Sequence, residues 1–144
     1  MNNLPFPQAN NPDKVITLLM LINKDNFSKN NLSNLMEIHP RQIDYYFNAV
    51  RFLELVDIDS LKRINFSPYG NKIRSLKFPE NYLLFADYML NFYKLKPLFL
   101  LEDDLIISKS LEKLGISQAT IKRRISTIKN WKKWAITIID KYGI

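Results

Sequence analysis

The stretch PRQIDYYFNAVRFLELVDI, residues 40–58, decides the fold because its hydrophobic period changes partway along. Ile43, Phe47 and Val50 are three or four residues apart, which is the spacing of a helix that buries one face. Near the end of the stretch, apolar and acidic residues alternate instead, and alternation indicates a strand. A helix over residues 40–53 followed by a short strand is therefore predicted.

Signals before and after this stretch extend it into a winged helix-turn-helix pattern. Residues 1–12 are predicted to form an extended arm because prolines block helix formation there, and the apolar stripe that follows predicts a first helix. Ser28 is a suitable N-cap for a second helix. Alternation over residues 62–66 predicts a second strand, and Ser67-Pro68 predicts the start of another helix. Residues 13–78 are thus predicted to form three helices, a β-ribbon and a fourth helix.

The second half of the sequence repeats much of this organisation after Pro79. Residues 80–96 are predicted to form one aromatic-rich helix that ends at a proline. The acidic residues 102–104 suit the start of a further helix, and Ser117 suits the start of the last one. Residues 79–144 are thus predicted to form a second helix-turn-helix or winged-helix-like module. The helix before Ser117 is expected to carry Leu105, Ile106, Leu111 and Leu114, and Gly115 is suited to end it.

An offset of 78 residues aligns the two halves, and each aligned position is apolar in both. The aligned pairs are Met36 with Leu114, Ile38 with Ile116, Ile43 with Ile121, Phe47 with Ile125, Val50 with Ile128 and Leu53 with Trp131. Two amphipathic helices can be slid into such register by chance. Both halves also share a tight turn entered through an isoleucine, which favours a repeated helix-turn-helix. The predicted fold class is mainly α, with two tandem helix-turn-helix modules and a small β-wing in the first.

Composition restricts the classes of function. The net charge of +7 and the isoelectric point near 9.6 favour a polyanionic partner, although an AT-rich genome also explains some of the lysine. The absence of cysteine excludes thiolate metal sites, and the single histidine, His39, argues against a histidine-ligated metal. Neither a signal peptide nor an apolar run of membrane-spanning length is recognisable. We therefore expect a cytoplasmic protein with no membrane partner.

The sequence lacks a combination of residues typical of an active site. It has no glycine-rich phosphate loop and no metal-ligand spacing. Residues 102–104 are a candidate magnesium site, but no acid-x-Lys element follows them, so charges at a helix start are the preferred interpretation. We expect a non-enzymatic protein without catalytic residues, cofactor or metal ion.

A helix about 10–12 Å across fits the major groove of DNA, where its exposed side chains reach base edges. In the first module the candidate DNA-binding residues are His39, Arg41, Gln42, Asp44, Tyr45 and Asn48. Arg41 is suited to guanine, and Gln42 or Asn48 to adenine, through paired hydrogen bonds. Lys62 and Arg63 of the wing are candidates for phosphate or minor-groove contacts. The alternative is that these side chains form only a solvated outer face.

The final helix, expected over residues 118–133, has the stronger charge pattern. Six basic residues and no acidic one fall between Lys122 and Lys133, whereas a merely solvated face usually mixes both signs. We expect this helix mainly to contact phosphates while the helix over residues 40–53 recognises bases. Its candidate DNA-binding residues are Ser117, Gln118, Thr120, Lys122, Arg123, Ser126, Lys129, Lys132 and Lys133. Trp131 and Trp134 are expected to pack in the core.

Four runs, covering nearly the whole chain, resemble winged-helix domains of bacterial DNA-binding proteins. They are PQANNPDKVITLL (residues 7–19), PRQIDYYFNAVRFLELVDI (40–58), NFSPYGNKI (65–73) and ISQATIKRRISTIKNWKKW (116–134). Taken together, the runs are similar to tandem winged-helix regions associated with type II restriction endonucleases. The resemblance implies a chain that binds double-stranded DNA beside a separate nuclease domain, as part of a longer enzyme or as a free-standing relative.

Other interpretations stay open at this point. A transcriptional regulator or a replication-type DNA-binding protein would have the same helices and charge. A winged helix also serves as a protein–protein interaction module, or as the non-catalytic portion of a larger nuclease. The aromatic helix over residues 80–96 is a candidate interface for a homodimer.

Overall fold

A computed structural model of the protein describes residues 6–23, 28–101, 104–113 and 115–143. Within these ranges the chain forms eight helices and one two-stranded sheet, so the mainly α fold is confirmed. The chain divides into two units, Met1–Tyr82 and Leu83–Ile144, and the division falls inside the fifth helix.

The first unit consists of short helices and a small β-ribbon. In chain order its elements are α1 (Pro12–Leu21), α2 (Lys29–Met36), α3 (Pro40–Phe52), β1 (Val56–Ile58), β2 (Ile64–Phe66), α4 (Pro68–Ser75) and the start of α5 (Glu80–Asn91). The strands pair antiparallel, with Val56 opposite Phe66 and Ile58 opposite Ile64. Helix α1 packs against α2 and α3, and α4 packs against α1 and β2. This element order is the one predicted for residues 13–78.

The apolar stripes of α1 and α3 form the core of this unit. Their buried side chains include Val15, Ile16, Leu18, Leu19, Ile43, Phe47, Val50 and Phe52. The described part of the arm, residues 6–11, is not helical, in agreement with the prediction. However, Phe6 and Ala9 are buried, and the Phe6 ring packs edge-on against Phe52 with 5.3 Å between ring centroids. The arm is therefore attached to the core through its apolar residues.

The second unit is helical throughout its described residues. It contains the rest of α5, then α6 (Lys96–Phe99), α7 (Asp104–Lys113) and α8 (Gln118–Tyr142). The prediction of one helix over residues 80–96 is wrong in its last part, because α5 ends at Asn91, whose side-chain amide donates to the Asp87 carbonyl. Pro97 does not end a helix. It lies in the first turn of α6, where the N–H that proline lacks has no partner within the helix.

The core of the second unit lies around the middle of α8, where Trp131 is fully buried, as expected. Trp134 packs edge-on against Phe85, with 5.6 Å between the ring centroids. Helix α7 buries Ile107 and Leu111. The helix carries Leu105, Ile106 and Leu111 as predicted, but Leu105 and Ile106 are exposed. Residues 105–107 are all apolar, so their sequence does not show which face of the helix is buried. In the structure only the third of them, Ile107, is buried. Leu114 lies outside the described residues.

Three of the aligned pairs are buried in both halves, whereas Phe47 is buried and Ile125 only partly so. Ile43 and Ile121 are both buried, as are Val50 and Ile128, and Leu53 and Trp131. Ile38 and Ile116 are both partly buried. Among the helices of the described ranges, none combines the length and apolar character needed to cross a membrane.

Candidate nucleic-acid interface

Capping residues fix both ends of α2 and the start of α3. The Ser28 hydroxyl accepts a hydrogen bond from the Asn31 backbone N–H at 3.3 Å, as predicted for an N-cap. At the end of α2, Glu37 adopts a left-handed conformation with φ of 56°. Pro40 is the first residue of α3, and Nδ1 of His39 accepts from the Arg41 N–H at 3.0 Å. The ring of His39, although exposed, therefore acts as the N-cap of α3.

Helix α3 has one buried face and one polar face. The buried face includes Tyr46, and burial raises the pKa of this phenol while a hydrogen bond with the Asn11 backbone lowers it. The neighbouring Tyr45 is half-buried, so the two adjacent tyrosines divide between core and surface. The exposed polar residues of α3 are Arg41, Gln42, Asp44 and Asn48.

These exposed residues differ in what they contact. The Asp44 carboxylate pairs with the Lys29 ammonium of α2 at 2.9 Å, so its charge is already compensated. In contrast, the side chains of Arg41, Gln42 and Asn48 make no hydrogen bond or ion pair with any residue that the structure describes. Helix α3 thus presents three uncommitted hydrogen-bonding side chains to solvent.

The loop between β1 and β2 is organised by one carboxylate. Asp59 accepts hydrogen bonds from the backbone N–H groups of Leu61 and Arg63 and from the Asn65 amide. It also pairs with Nε of Arg63 at 3.0 Å. These bonds, the Arg63 backbone N–H first among them, lower the pKa of Asp59 to about 2. Of the two predicted wing cations, Arg63 is therefore engaged within the loop, while Lys62 is exposed.

Arg74 of α4 was not singled out by the sequence, yet it joins three parts of the first unit. Its guanidinium donates to the carbonyls of Leu19 and Ile22, each at 2.6 Å, at the end of α1. The same group lies 4.1 Å from the ring centroid of Phe66 in β2. Burial lowers the pKa of Arg74. Arg74 therefore holds α1 and β2 to α4. It has a structural role and is not one of the candidate DNA-binding residues.

The turn between α7 and α8 is built differently from the one before α3. Gly115 is left-handed with φ of 82°, in agreement with its expected role in ending the preceding helix. Ser117 occupies the N-cap position of α8, but its hydroxyl caps no backbone N–H and instead shares a hydrogen bond with the Thr120 hydroxyl at 3.1 Å. The Gln118 amide donates to the Glu112 carboxylate. Three predicted site residues are thus engaged locally.

Helices α7 and α8 run side by side in opposite directions. An ion pair of 2.5 Å joins Asp104, at the start of α7, to Lys129 of α8. Since α7 is about 15 Å long and residue 129 lies about 16 Å along α8, only a nearly antiparallel pair brings these side chains together. The helices of a helix-turn-helix cross at roughly 90–120° instead. The expectation of a second helix-turn-helix unit is not supported by this geometry.

The cationic stretch of α8 is only partly a charged surface. Arg124 is 7% exposed and Lys132 is partly buried, whereas Lys129 is paired with Asp104. Burial and the charge of Arg123 lower the pKa of Arg124. Lys122, Arg123 and Lys133 remain exposed, without an ion pair to any described residue. Ser126 is exposed between them. Of the acidic group proposed as an alternative magnesium site, residues 102 and 103 lie outside the described residues.

A family model, "Domain of unknown function (DUF7226)", matches residues 14–140. The chain therefore belongs to this family. Comparison with curated proteins and with solved structures gave no match.

Proposed function

We propose that the protein binds double-stranded DNA, with α3 in the major groove and the exposed cations of α8 on phosphates. In this proposal the first unit is a winged helix-turn-helix, formed by α1 to α4 with the β1–β2 ribbon as its wing. The second unit is an antiparallel helix pair that adds affinity rather than a second base-recognising helix.

The observation that carries the proposal is the free polar face of α3. Arg41, Gln42 and Asn48 combine exposure with an absence of side-chain partners among the described residues. Arginine pairs with guanine, and glutamine and asparagine pair with adenine, through two hydrogen bonds each. Helix α3 has 13 residues, so it is about 20 Å long, and its width matches that of the major groove.

Charge supports the same partner. The net charge is +7, and Lys122, Arg123 and Lys133 are exposed on α8 without compensating acids in the described part of the chain. Phosphate contacts by such residues release counterions, so the affinity for duplex DNA should fall steeply with salt. The Asp44–Lys29 pair removes the one negative charge exposed on α3.

The test is selection of bound duplexes from a random library, followed by binding measurements over a salt series. Arg41→Ala should reduce the preference for the selected sequence by about 5–150-fold, the value of one bidentate base contact. Arg123→Ala should weaken binding to all sequences alike and lower the salt dependence by about one phosphate contact. Lys109→Ala, which removes an exposed charge from α7, is the matched control and should preserve the sequence preference.

Two results would contradict the proposal. Negligible affinity for every duplex at low salt would remove DNA as the partner. An unchanged sequence preference in both Arg41→Ala and Gln42→Ala would remove α3 as the base-recognising helix. The proposal assigns no chemistry to this chain, so plasmid DNA incubated with the purified protein and magnesium should remain uncut.

A further inference from the structure

The tip of the β1–β2 loop presents an apolar side chain that the core does not use. Leu61 is 69% exposed, and several other leucines are exposed as well, but it is the one beside the basic residues of the loop. It is followed directly by Lys62 and Arg63, both exposed. The loop between the two strands thus exposes an apolar residue beside Lys62, while Arg63 is paired with Asp59.

The loop that carries Leu61 is closed by hydrogen bonds to Asp59. The Leu61 N–H donates to the Asp59 carboxylate at 2.9 Å, and the Lys62 N–H donates to the Asp59 carbonyl at 2.9 Å. The Asp59 N–H in turn donates to the Arg63 carbonyl at 3.0 Å, which closes the loop. Lys62 has a φ of 61°, the left-handed conformation that reverses the chain. Since the backbone is already ordered, insertion of Leu61 into a partner costs little conformational entropy.

The dimensions and charge of the tip suit the minor groove of DNA. The minor groove is about 6 Å wide. The backbones of two paired strands are already about 4.8 Å apart, so the full width of the ribbon does not fit, whereas the single turn at its tip does. Lys62, which makes no ion pair with any described residue, is attracted by the negative potential of the groove. Apolar side chains, including leucine, act as wedges between base pairs in proteins that kink DNA from this side.

We propose that Leu61 inserts between two base pairs from the minor groove and kinks the duplex, with Lys62 on the adjacent phosphate. This inference rests on the proposed function and adds a substrate class to it. The preferred duplex contains a pyrimidine–purine step beside the α3 contact, because such steps unstack most easily. The wedge thus contributes sequence preference without a hydrogen bond to a base.

The experiment uses duplexes in which 2-aminopurine replaces one adenine at successive steps, with fluorophores at both ends for energy transfer. Binding of the wild-type protein should brighten 2-aminopurine at one step and bring the duplex ends closer. Leu61→Ala should abolish both signals while weakening affinity by no more than about tenfold, since the other contacts remain. Leu61→Phe should retain both, because phenylalanine is also a wedge residue.

Leu35→Ala is the matched control. Leu35 is 68% exposed on α2 of the same unit, so it has the same chemistry and exposure as Leu61 at another place. Its loss should leave both signals unchanged. A bound wild-type complex without brightening or bending at any step would overturn the wedge but not DNA binding. Equal loss of signal in Leu35→Ala and Leu61→Ala would also overturn the wedge. Absence of wild-type binding to any duplex would overturn the proposed function and the wedge together.

Discussion

Helices α3 and α8 bury side chains at equivalent positions, but they are paired differently with the helices that precede them. In the first, the ion pair joins Lys29 to Asp44, early in α3, and most of α3 extends beyond the shorter α2. In the second, the ion pair joins Asp104 to Lys129, so α7 lies along half of a helix of 25 residues. Equal phasing of buried residues therefore specifies which face of a helix packs. It does not specify which residues of the neighbouring helix lie beside that face.

Replacing Leu53 or Trp131, which are aligned in the two halves, should give the largest change in the free energy of unfolding. Both are fully buried at equivalent positions. Trp131→Ala should lower the free energy of unfolding by about 4 kcal/mol, and Leu53→Ala by about 3 kcal/mol, because each leaves a cavity. Denaturant unfolding measures the loss, and hydrogen exchange should locate it in α6–α8 for Trp131→Ala. Ile136→Ala, exposed on α8, is the near-neutral control. Faster exchange in α1–α3 alone would contradict the assignment of Trp131.

Two largely buried arginines give the next contrast. Arg74→Met should lower the free energy of unfolding by about 2–3 kcal/mol, since it leaves the Leu19 and Ile22 carbonyls without their charged donor. Arg124→Met should change it by less than about 1 kcal/mol or increase it. Arg124 has no hydrogen bond or ion pair with described residues, and a buried charge without a partner is unfavourable. Thermal unfolding compares the two. Equal destabilisation would show that Arg124 has a structural partner.

The smallest effect is a local change in the β1–β2 loop at low pH. The pKa of Asp59 in the folded protein is about 2, below its usual value of 3.8. The ionised carboxylate therefore stabilises the folded state at pH values above 3.8. This contribution should be lost as the pH falls from about 4 toward 2. The Leu61 and Arg63 amide resonances should follow that titration, and in Asp59→Asn they should not. Asp57→Asn, on the neighbouring strand, should leave the titration intact. A flat response in the wild type would show that these amides do not depend on the carboxylate.

The sequence predicted features that depend on neighbouring residues. Ser28 and Gly115 end or begin helices through bonds and angles within a few residues, and the stripe of α3 follows from periodicity alone. Features that depend on distant residues were missed. Arg74 contacts carbonyls more than fifty residues earlier, and Arg124 is buried in a stretch whose composition predicted phosphate contacts. Counting cations therefore overestimated the charged surface of α8.

For the candidate site, the sequence predicted most of the exposed residues, but it did not predict which of them already have a hydrogen-bond or ion-pair partner in the protein. Arg41, Gln42 and Asn48 lie exposed on α3 as expected. His39 and Asp44 are exposed too, but one caps α3 and the other pairs with Lys29. Leu61 was overlooked because an apolar residue between polar ones in a predicted turn carries no periodic signal. Only the hydrogen bonds around the loop show that it is held at the tip.

The contact of Arg74 with the end of α1 also bears on how the first unit folds. Its partners are 52 and 55 residues away along the chain, so α1 obtains its last hydrogen bonds only after α4 has formed. Folding that depends on such a long loop closure is slower than the formation of local helical contacts. Fragments that end after β2 should consequently expose the α1 terminus and aggregate on expression, whereas fragments that include α4 should yield monomeric protein. The smallest expressible fragment of this half should therefore include α4, which supplies both Arg74 and the fully buried Ile73.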